Sequence, residues 1–166
     1  MARTAPRMRQ LVDWRAAIYA GIIAGMFFLF LNWLITPLVI GGNLWMMVRL
    51  FASVVLGEQV LAPPATFAPL ALLVALVLHF GLSIIYSLVI AYIIHRGGLL
   101  LGIIGGALLG LALYSINFYT LTFFYPWFFA MRNPVFLVTH ALFGAIAGGV
   151  YEALEVEVFV PVEEGT

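Results

Sequence analysis

LVALVLHFGLSIIYS, Leu73–Ser87, decides what kind of protein this is. Its fifteen residues carry no formal charge, and one histidine, His79, stands near the middle. The run lies inside a longer apolar stretch, Phe67–Ile94. About 20 apolar residues let a helix cross the roughly 30 Å hydrocarbon core of a bilayer. Three more stretches reach that length: Ala16–Ile40, Leu99–Phe124 and Pro134–Leu154. Each is apolar all round, the pattern of a helix facing lipid and other helices rather than water. The backbone has no alternative there, because unpaired peptide groups are too costly in hydrocarbon. The expected fold class is all-α, a polytopic membrane protein with four transmembrane helices. They run over about 16–40, 67–94, 99–124 and 134–154, within a single integral membrane domain, 1–166.

Composition points the same way. The chain is 65% hydrophobic and 8% charged, where a soluble domain is about half apolar and a quarter charged. Arg3, Arg7, Arg9, Asp13 and Arg15 open it, and Glu152, Glu155, Glu157, Glu163 and Glu164 close it. Only Arg49, Glu58, Arg96 and Arg132 are charged in between. There is no cysteine, which excludes disulfides, thiolate metal sites and cysteine nucleophiles. The formal net charge is zero and no basic stripe suggests nucleic acid. The expected partners are the lipid bilayer and other integral membrane subunits.

Arginine asymmetry sets the orientation. An even number of spans puts both termini on one side, with Arg3, Arg7, Arg9, Arg15 and Arg96, against Arg49 and Arg132 on the other. Both termini are therefore expected in the cytoplasm, with the chain multi-pass in a bacterial inner membrane. The first span reads as a retained signal-anchor, because its apolar stretch is too long for a cleaved leader and no clear small-x-small site precedes Asn32. Between the first two spans, Leu44–Leu56 has helical character, with Arg49, Ser53 and Gly57 in a narrow polar stripe. A fifth span would bury Arg49 at high cost. An amphipathic helix over about 44–56, in the outer interface or packed on a neighbour, is expected instead. Pro63-Pro64 ends it. The loop around Tyr125, Trp127, Phe128 and Phe129 is expected at the same level, as an interfacial aromatic belt.

Small residues four apart make a groove in which another helix approaches closely. Gly21 and Gly25 lie so in the first span, Gly102, Gly106 and Gly110 in the third, and Gly144 and Gly148 in the fourth. Eleven residues is nearly a whole number of turns, so Asn32 shares a face with Gly21, and Asn117 with Gly106. His140, Gly144, Gly148 and Tyr151 form one face of the fourth span, and His79, Ser83, Tyr86 and Ser87 one face of the second. A bundle with these stripes inward follows. By position along the spans, Asn32, Asn117 and His140 belong to the outer third, with His79 one to two turns deeper. Gly21-Ile22-Ile23-Ala24-Gly25 matches Gly102-Ile103-Ile104-Gly105-Gly106, and Leu76–His79 matches Leu137–His140. The repeated order suggests a two-plus-two duplication.

The run VLGEQVLAPPATF, Val55–Phe67, followed by His79-Phe80, resembles a pattern in a family of short, uncharacterised bacterial four-helix integral membrane proteins. The resemblance would cover most of the chain and implies the four-helix fold. Its motifs are helix punctuation more than chemistry, and it implies no activity.

Function is bounded more than named. No span holds an intramembrane carboxylate, since Glu152 stands at the cytoplasmic end of the fourth, and no metalloprotease helix, P-loop or nucleophile elbow occurs, so no enzyme is expected. The first expectation is a non-catalytic subunit of a larger membrane complex, of a respiratory or photosynthetic kind. Its spare glycine and aromatic surfaces would then meet other subunits. The second is a small electron-transfer protein in which His79 and His140 ligate a b-type haem, border a quinone or relay protons. The third is a small channel or transporter. Against the second stands a plainer use of each imidazole, a hydrogen bond to a neighbouring helix. No cofactor or metal is expected on that account. His95, beside Arg96, reads as interfacial. The glutamate tail reads as a solvated end that could pair with the N-terminal arginines, each exposed pair contributing roughly 0–1 kcal/mol.

Overall fold

The computed structural model describes residues 8–39 and 41–162. Helices dominate: α1 (Trp14–Val39), α2 (Leu44–Leu56), α3 (Pro69–Ile94), α4 (Gly98–Ser115), α5 (Leu121–Phe124) and α6 (Pro134–Leu154). A π-helical turn, Ile116–Thr120, joins α4 to α5, so Gly98–Phe124 forms one continuous apolar rod. Among the described residues, this rod and α1, α3 and α6 are the four helices long and apolar enough to cross a membrane. The chain is an all-α polytopic membrane protein in its architecture.

Local chemistry starts each helix. The Oδ1 atom of Asp13 accepts from the N–H groups of Arg15 and Ala16, both at 3.0 Å, and so caps α1. Asn43 caps α2 by accepting from Trp45 N–H at 2.9 Å. Asn133 caps α6 by accepting from Val135 and Phe136, and Pro134 occupies the first turn. Gly57, at φ +88°, ends α2 in a conformation that side chains resist.

Glycine decides the packing. A Cβ added at Gly106 would overlap the carbonyl of Gly144, and one at Gly144 the carbonyl of Gly106. Gly148 stands in the same relation to Gly102, and Gly110 to the carbonyl of His140. The backbones of α4 and α6 therefore touch along three turns. On the other side, Gly21 faces the backbone of Ser83 and Ile84, which brings α1 onto α3. Ser87 Oγ ties that pair by donating to Ala17 O at 2.8 Å. α6 packs against both α4 and α1 and is the most buried of the four spans. Ala17, Ala20, Ala24, Phe143, Ala147 and Tyr151 fill the core there.

The chain ends hold a feature not expected from the sequence. Met8–Leu11 (β1) pairs antiparallel with Val158–Pro161 (β2), with Met8 opposite Pro161 and Leu11 opposite Val158. Asp13 extends this clasp. Its Oδ2 accepts from Val156 N–H at 3.2 Å, and its own N–H donates to the Tyr151 hydroxyl at 3.2 Å. Both ends of the described chain thus lie together, as an even number of crossings requires. Among the described residues they are joined by backbone bonds. Arg3, Arg7, Glu163 and Glu164 lie outside the described residues. A two-stranded ribbon is marginal alone, and the packed ends of α1 and α6 hold this one in place.

Asp13 gives the clasp an acid limit. Its carboxyl is held below its ordinary value of 3.8, chiefly by the Ala16 N–H. Burial opposes this, while the Val156 and Arg15 N–H groups and the Arg15 charge add to it. Folding therefore favours the ionised form. The contribution is present in full above the unfolded value and is lost as pH falls through the lower folded one. Thermal unfolding in detergent should show a stability loss beginning below pH 3.8, and Asp13→Asn should flatten it. Asp13→Ala should lower stability at neutral pH by about 1 kcal/mol, as expected of a lost N-cap. An unchanged acid limb in Asp13→Asn would assign that limb to another group.

At the opposite end, α2 lies across the bundle as a cover. Arg49 is half-buried and satisfied by loop carbonyls: Thr66 O at 3.1 Å, Val60 O at 3.1 Å and Ala62 O at 3.3 Å. Burial of this arginine is thereby made tolerable without a fifth span. Ser53 is fully buried and accepts from Trp127 Nε1 at 2.8 Å, and Tyr125 donates to Val54 O at 3.3 Å. The aromatic segment thus folds inward onto α2 through Tyr125, Trp127 and Phe128. Phe129 alone of the four keeps the outward position expected of a belt, at 67% exposure. The reason is that indole N–H and phenol O–H find buried acceptors on α2.

Candidate functional site: a cavity beneath α2

The polar stripes converge on one place. Asn32, His79, Ser83, Tyr86, Asn117 and His140 all line a cavity of about 240 Å³ between the helices and under α2. The remaining wall is apolar and rich in rings, with Phe28, Phe51, Phe118, Phe128, Phe136 and Phe143. Tyr151, which the sequence places on the same stripe, goes instead to the Asp13 clasp at the far end. Gly21, Gly25, Gly106, Gly110, Gly144 and Gly148 form the close approaches that set the helix positions around the cavity.

Each polar group is placed by its own helix. His79 Nε2 lies 2.9 Å from Gly25 O, so α3 is tied to α1 through an imidazole. Gly25 makes this approach possible, since a Cβ there would meet Ser83 Oγ at 2.8 Å. His140 Nδ1 lies 2.7 Å from Phe136 O, one turn back on α6. Asn32 Nδ2 donates to Phe28 O at 2.8 Å, also one turn back. The Oδ1 of Asn32 is buried with no hydrogen-bond partner among the described residues. Tyr86 donates to Asn117 Oδ1 at 2.6 Å, joining α3 to the π turn.

The π turn is anchored from outside the cavity. Phe118 O accepts from Arg132 Nε at 3.0 Å and from Thr122 Oγ1 at 2.5 Å. Arg132 also donates to Thr122 Oγ1 and lies 4.4 Å from the centre of the Tyr119 ring. Such turns widen a helix locally and recur at functional sites. Here the turn carries Asn117 and Phe118 to the cavity wall.

Phe28 is the residue that sequence reasoning missed. Its ring centre is 5.9 Å from that of His79, nearly parallel, and 4.8 Å from that of His140, edge to face. The two histidines therefore meet the same ring, and the depth offset expected between them does not separate them. Phe28 was legible in principle, since it lies four residues before Asn32 on the same face. The same ring bears on haem. Axial ligation needs a macrocycle between two imidazole lone pairs, and Phe28 packs against both imidazoles. Among the described residues, no group of three or more His, Asp or Glu side chains is placed to hold a metal ion.

A cavity of this kind has a physical cost. Closely packed interiors hold few voids larger than a water molecule, and cavities that stay dry are apolar. This one is large and carries polar groups, one of them an amide oxygen without a donor. Polar groups within a membrane-spanning bundle are costly, which makes this cavity the candidate site.

No protein-family model matches the chain, and no curated protein and no solved structure matches it. The resemblance noted above rests on Val55–Phe67 and His79-Phe80 alone.

Proposed function

We propose that the chain is a non-catalytic integral membrane protein that holds a small lipophilic molecule between its helices, beneath α2. The observation that carries this is the cavity itself, about 240 Å³ and lined by rings and by the polar side chains of Asn32, His79, Ser83, Tyr86, Asn117 and His140. A subunit role in a larger assembly was motivated by glycine faces in excess of what four helices need. Gly21, Gly25, Gly102, Gly106, Gly110, Gly144 and Gly148 are all closed against neighbours within the chain, so the support moves from external faces to the internal site. A bound molecule of this kind suits electron transfer or lipid chemistry in partner subunits, and the chain would act there as a holder. The arginine distribution supports placing the β1–β2 ribbon in the cytoplasm of a bacterial cell and the cavity toward the outer half of its inner membrane.

Leu82→Trp tests this reading. Leu82 is a half-buried wall residue on α3, and an indole there would fill the cavity. A panel of neutral lipophiles should raise the thermal midpoint of the wild-type protein saturably and leave that of Leu82→Trp unmoved. Equal responses of the two proteins to every compound would place the binding elsewhere on the surface.

A further inference from the structure

We infer that the molecule held here is a tailed amphiphile, with an uncharged head in the cavity and a hydrocarbon tail that leaves sideways into the bilayer between α3 and the π turn. This rests on the proposed function above and deepens it. Three of the four seams between neighbouring spans are shut. Backbone meets backbone between α4 and α6, and Gly21 of α1 meets the backbone of α3. An alanine-rich core fills the seam of α1 with α6. The fourth seam, between α3 and the Gly98–Phe124 rod, is the most loosely packed. It closes at the ribbon end, where Ile94 lies against Gly105. Farther along, the Tyr86 bond to Asn117 crosses it.

Exposure marks where the cavity opens. Its walls on α1 and α6, from Phe28 and Asn32 to Phe136, His140 and Phe143, are buried. At the edges of the loose seam the lining is half-exposed: Leu78, Leu82 and Tyr86 on α3, Asn117 and Leu121 on the rod. A residue that faced only the cavity would be as buried as those of α1, so these five reach the outer surface as well. Leu78, Leu82 and Tyr86 occupy the middle of a 26-residue span, a depth at which the surroundings are hydrocarbon. The lining also changes character along this path. Asn32, His79, Ser83 and His140 stand at the buried end among phenylalanine rings, whereas three leucines stand at the mouth. The polar groups at the mouth, Tyr86 and Asn117, are bonded to each other. Among the described residues no Asp, Glu, Lys or Arg lines the cavity, so a charged head would be left unpaired where that is costly. At about 240 Å³ the cavity is smaller than the roughly 300–1,000 Å³ of sites that enclose a drug-sized ligand. A membrane lipid therefore fits by its head alone, and the mouth passes the tail.

The test uses the full chain in lipid nanodiscs and para-dodecylphenol, whose head both donates and accepts hydrogen bonds, with para-tert-butylphenol as the compact counterpart. Two photoreactive forms of the tailed phenol carry a diazirine, one beside the ring and one half-way along the tail. Mass spectrometry of the labelled protein should place the ring-side label at Phe28, Phe136 or Phe143 and the mid-tail label at Leu78, Leu82 or Leu121. Leu121→Trp narrows the mouth, and it should weaken binding of the tailed phenol at least tenfold while holding the compact one within about twofold of wild type. A mid-tail label at the buried end, or on the exposed Val55 of α2, overturns the sideways exit. Equal binding of both phenols by Leu121→Trp overturns it as well. Binding of the compact phenol alone to the wild type overturns the tail and leaves the cavity reading standing. Failure of both phenols and of every other lipophile to bind the wild type removes both.

Discussion

Gly144→Ala should destabilise the protein by roughly 1–3 kcal/mol, the range for forcing atoms into a packed interior. The direction is not obvious from helix propensity, which favours alanine over glycine by about 1 kcal/mol. Packing decides it. The new methyl group would overlap the carbonyl oxygen of Gly106 and lie against the backbone of Gly110. Backbone atoms cannot rotate aside as the end of a long side chain can, so α4 and α6 must separate. That separation would also disturb the paired contact of Gly148 with Gly102. Gly81 supplies the control. Nothing lies within 4 Å of a Cβ built there, so Gly81→Ala should be neutral or stabilising. Reversible unfolding in mixed micelles, followed by circular dichroism, compares the two. A Gly144→Ala protein as stable as Gly81→Ala would mean that the two helices do not touch through their backbones.

Asn32→Leu should move stability and binding in opposite directions. In the empty protein the Oδ1 atom is buried without a partner, and such a group costs about 1–3 kcal/mol. Its other bond, to Phe28 O, stays within one turn of α1 and contributes little to tertiary structure. Leucine has nearly the same size and no polar atom. The variant should therefore be more stable than the wild type by roughly 1–2 kcal/mol in the absence of ligand. It should lose ligand-induced stabilisation at the same time. A purely structural asparagine would behave otherwise, since its removal would lower stability and leave ligand response unchanged. The pair of readouts separates the two roles in a single set of melts.

The four spans were legible because hydrocarbon leaves the backbone one solution and apolar length reports it directly. Leu44–Leu56 was legible for a related reason, since Arg49 could not lie in hydrocarbon unpaired. What could not be read was how Arg49 would be satisfied, because its partners are the carbonyls of residues 60, 62 and 66 and the Thr66 hydroxyl, all brought by the loop after α2. The β1–β2 ribbon left a faint trace in the alternation of Glu155-Val156-Glu157-Val158. Its pairing partner, MRQL at Met8–Leu11, has no such alternation, and four-residue strands carry too little pattern to stand out. The aromatic loop misled because Trp and Tyr suit both an interface and a buried acceptor, and only the position of Ser53 and Val54 decides between them.

The site shows the same division. Helical spacing put Asn32, His79, Ser83, Asn117 and His140 on inward faces, and the fold gathers them around one cavity. Spacing could not show that Tyr151 would be drawn to Asp13, because that contact depends on how the two chain ends meet. It also could not show Phe28 against both histidines. A phenylalanine in an apolar span looks like any other until its neighbours are known. The π turn at Ile116–Thr120 is the least legible feature, since it needs Arg132 to hold Phe118 O from another segment. Removing that support should be felt at the cavity. Arg132→Ala is expected to weaken ligand binding without touching the ligand, and Arg132→Lys to restore little because lysine lacks the planar donor fork.

The most direct measurement of the central claim is small-molecule mass spectrometry of the chain extracted from native membranes in mild detergent, alongside Leu82→Trp prepared identically. The account predicts one neutral lipophilic compound near one-to-one stoichiometry in the wild type and its absence from the cavity-filled variant. The same bulk lipids in the same amounts in both preparations would contradict it.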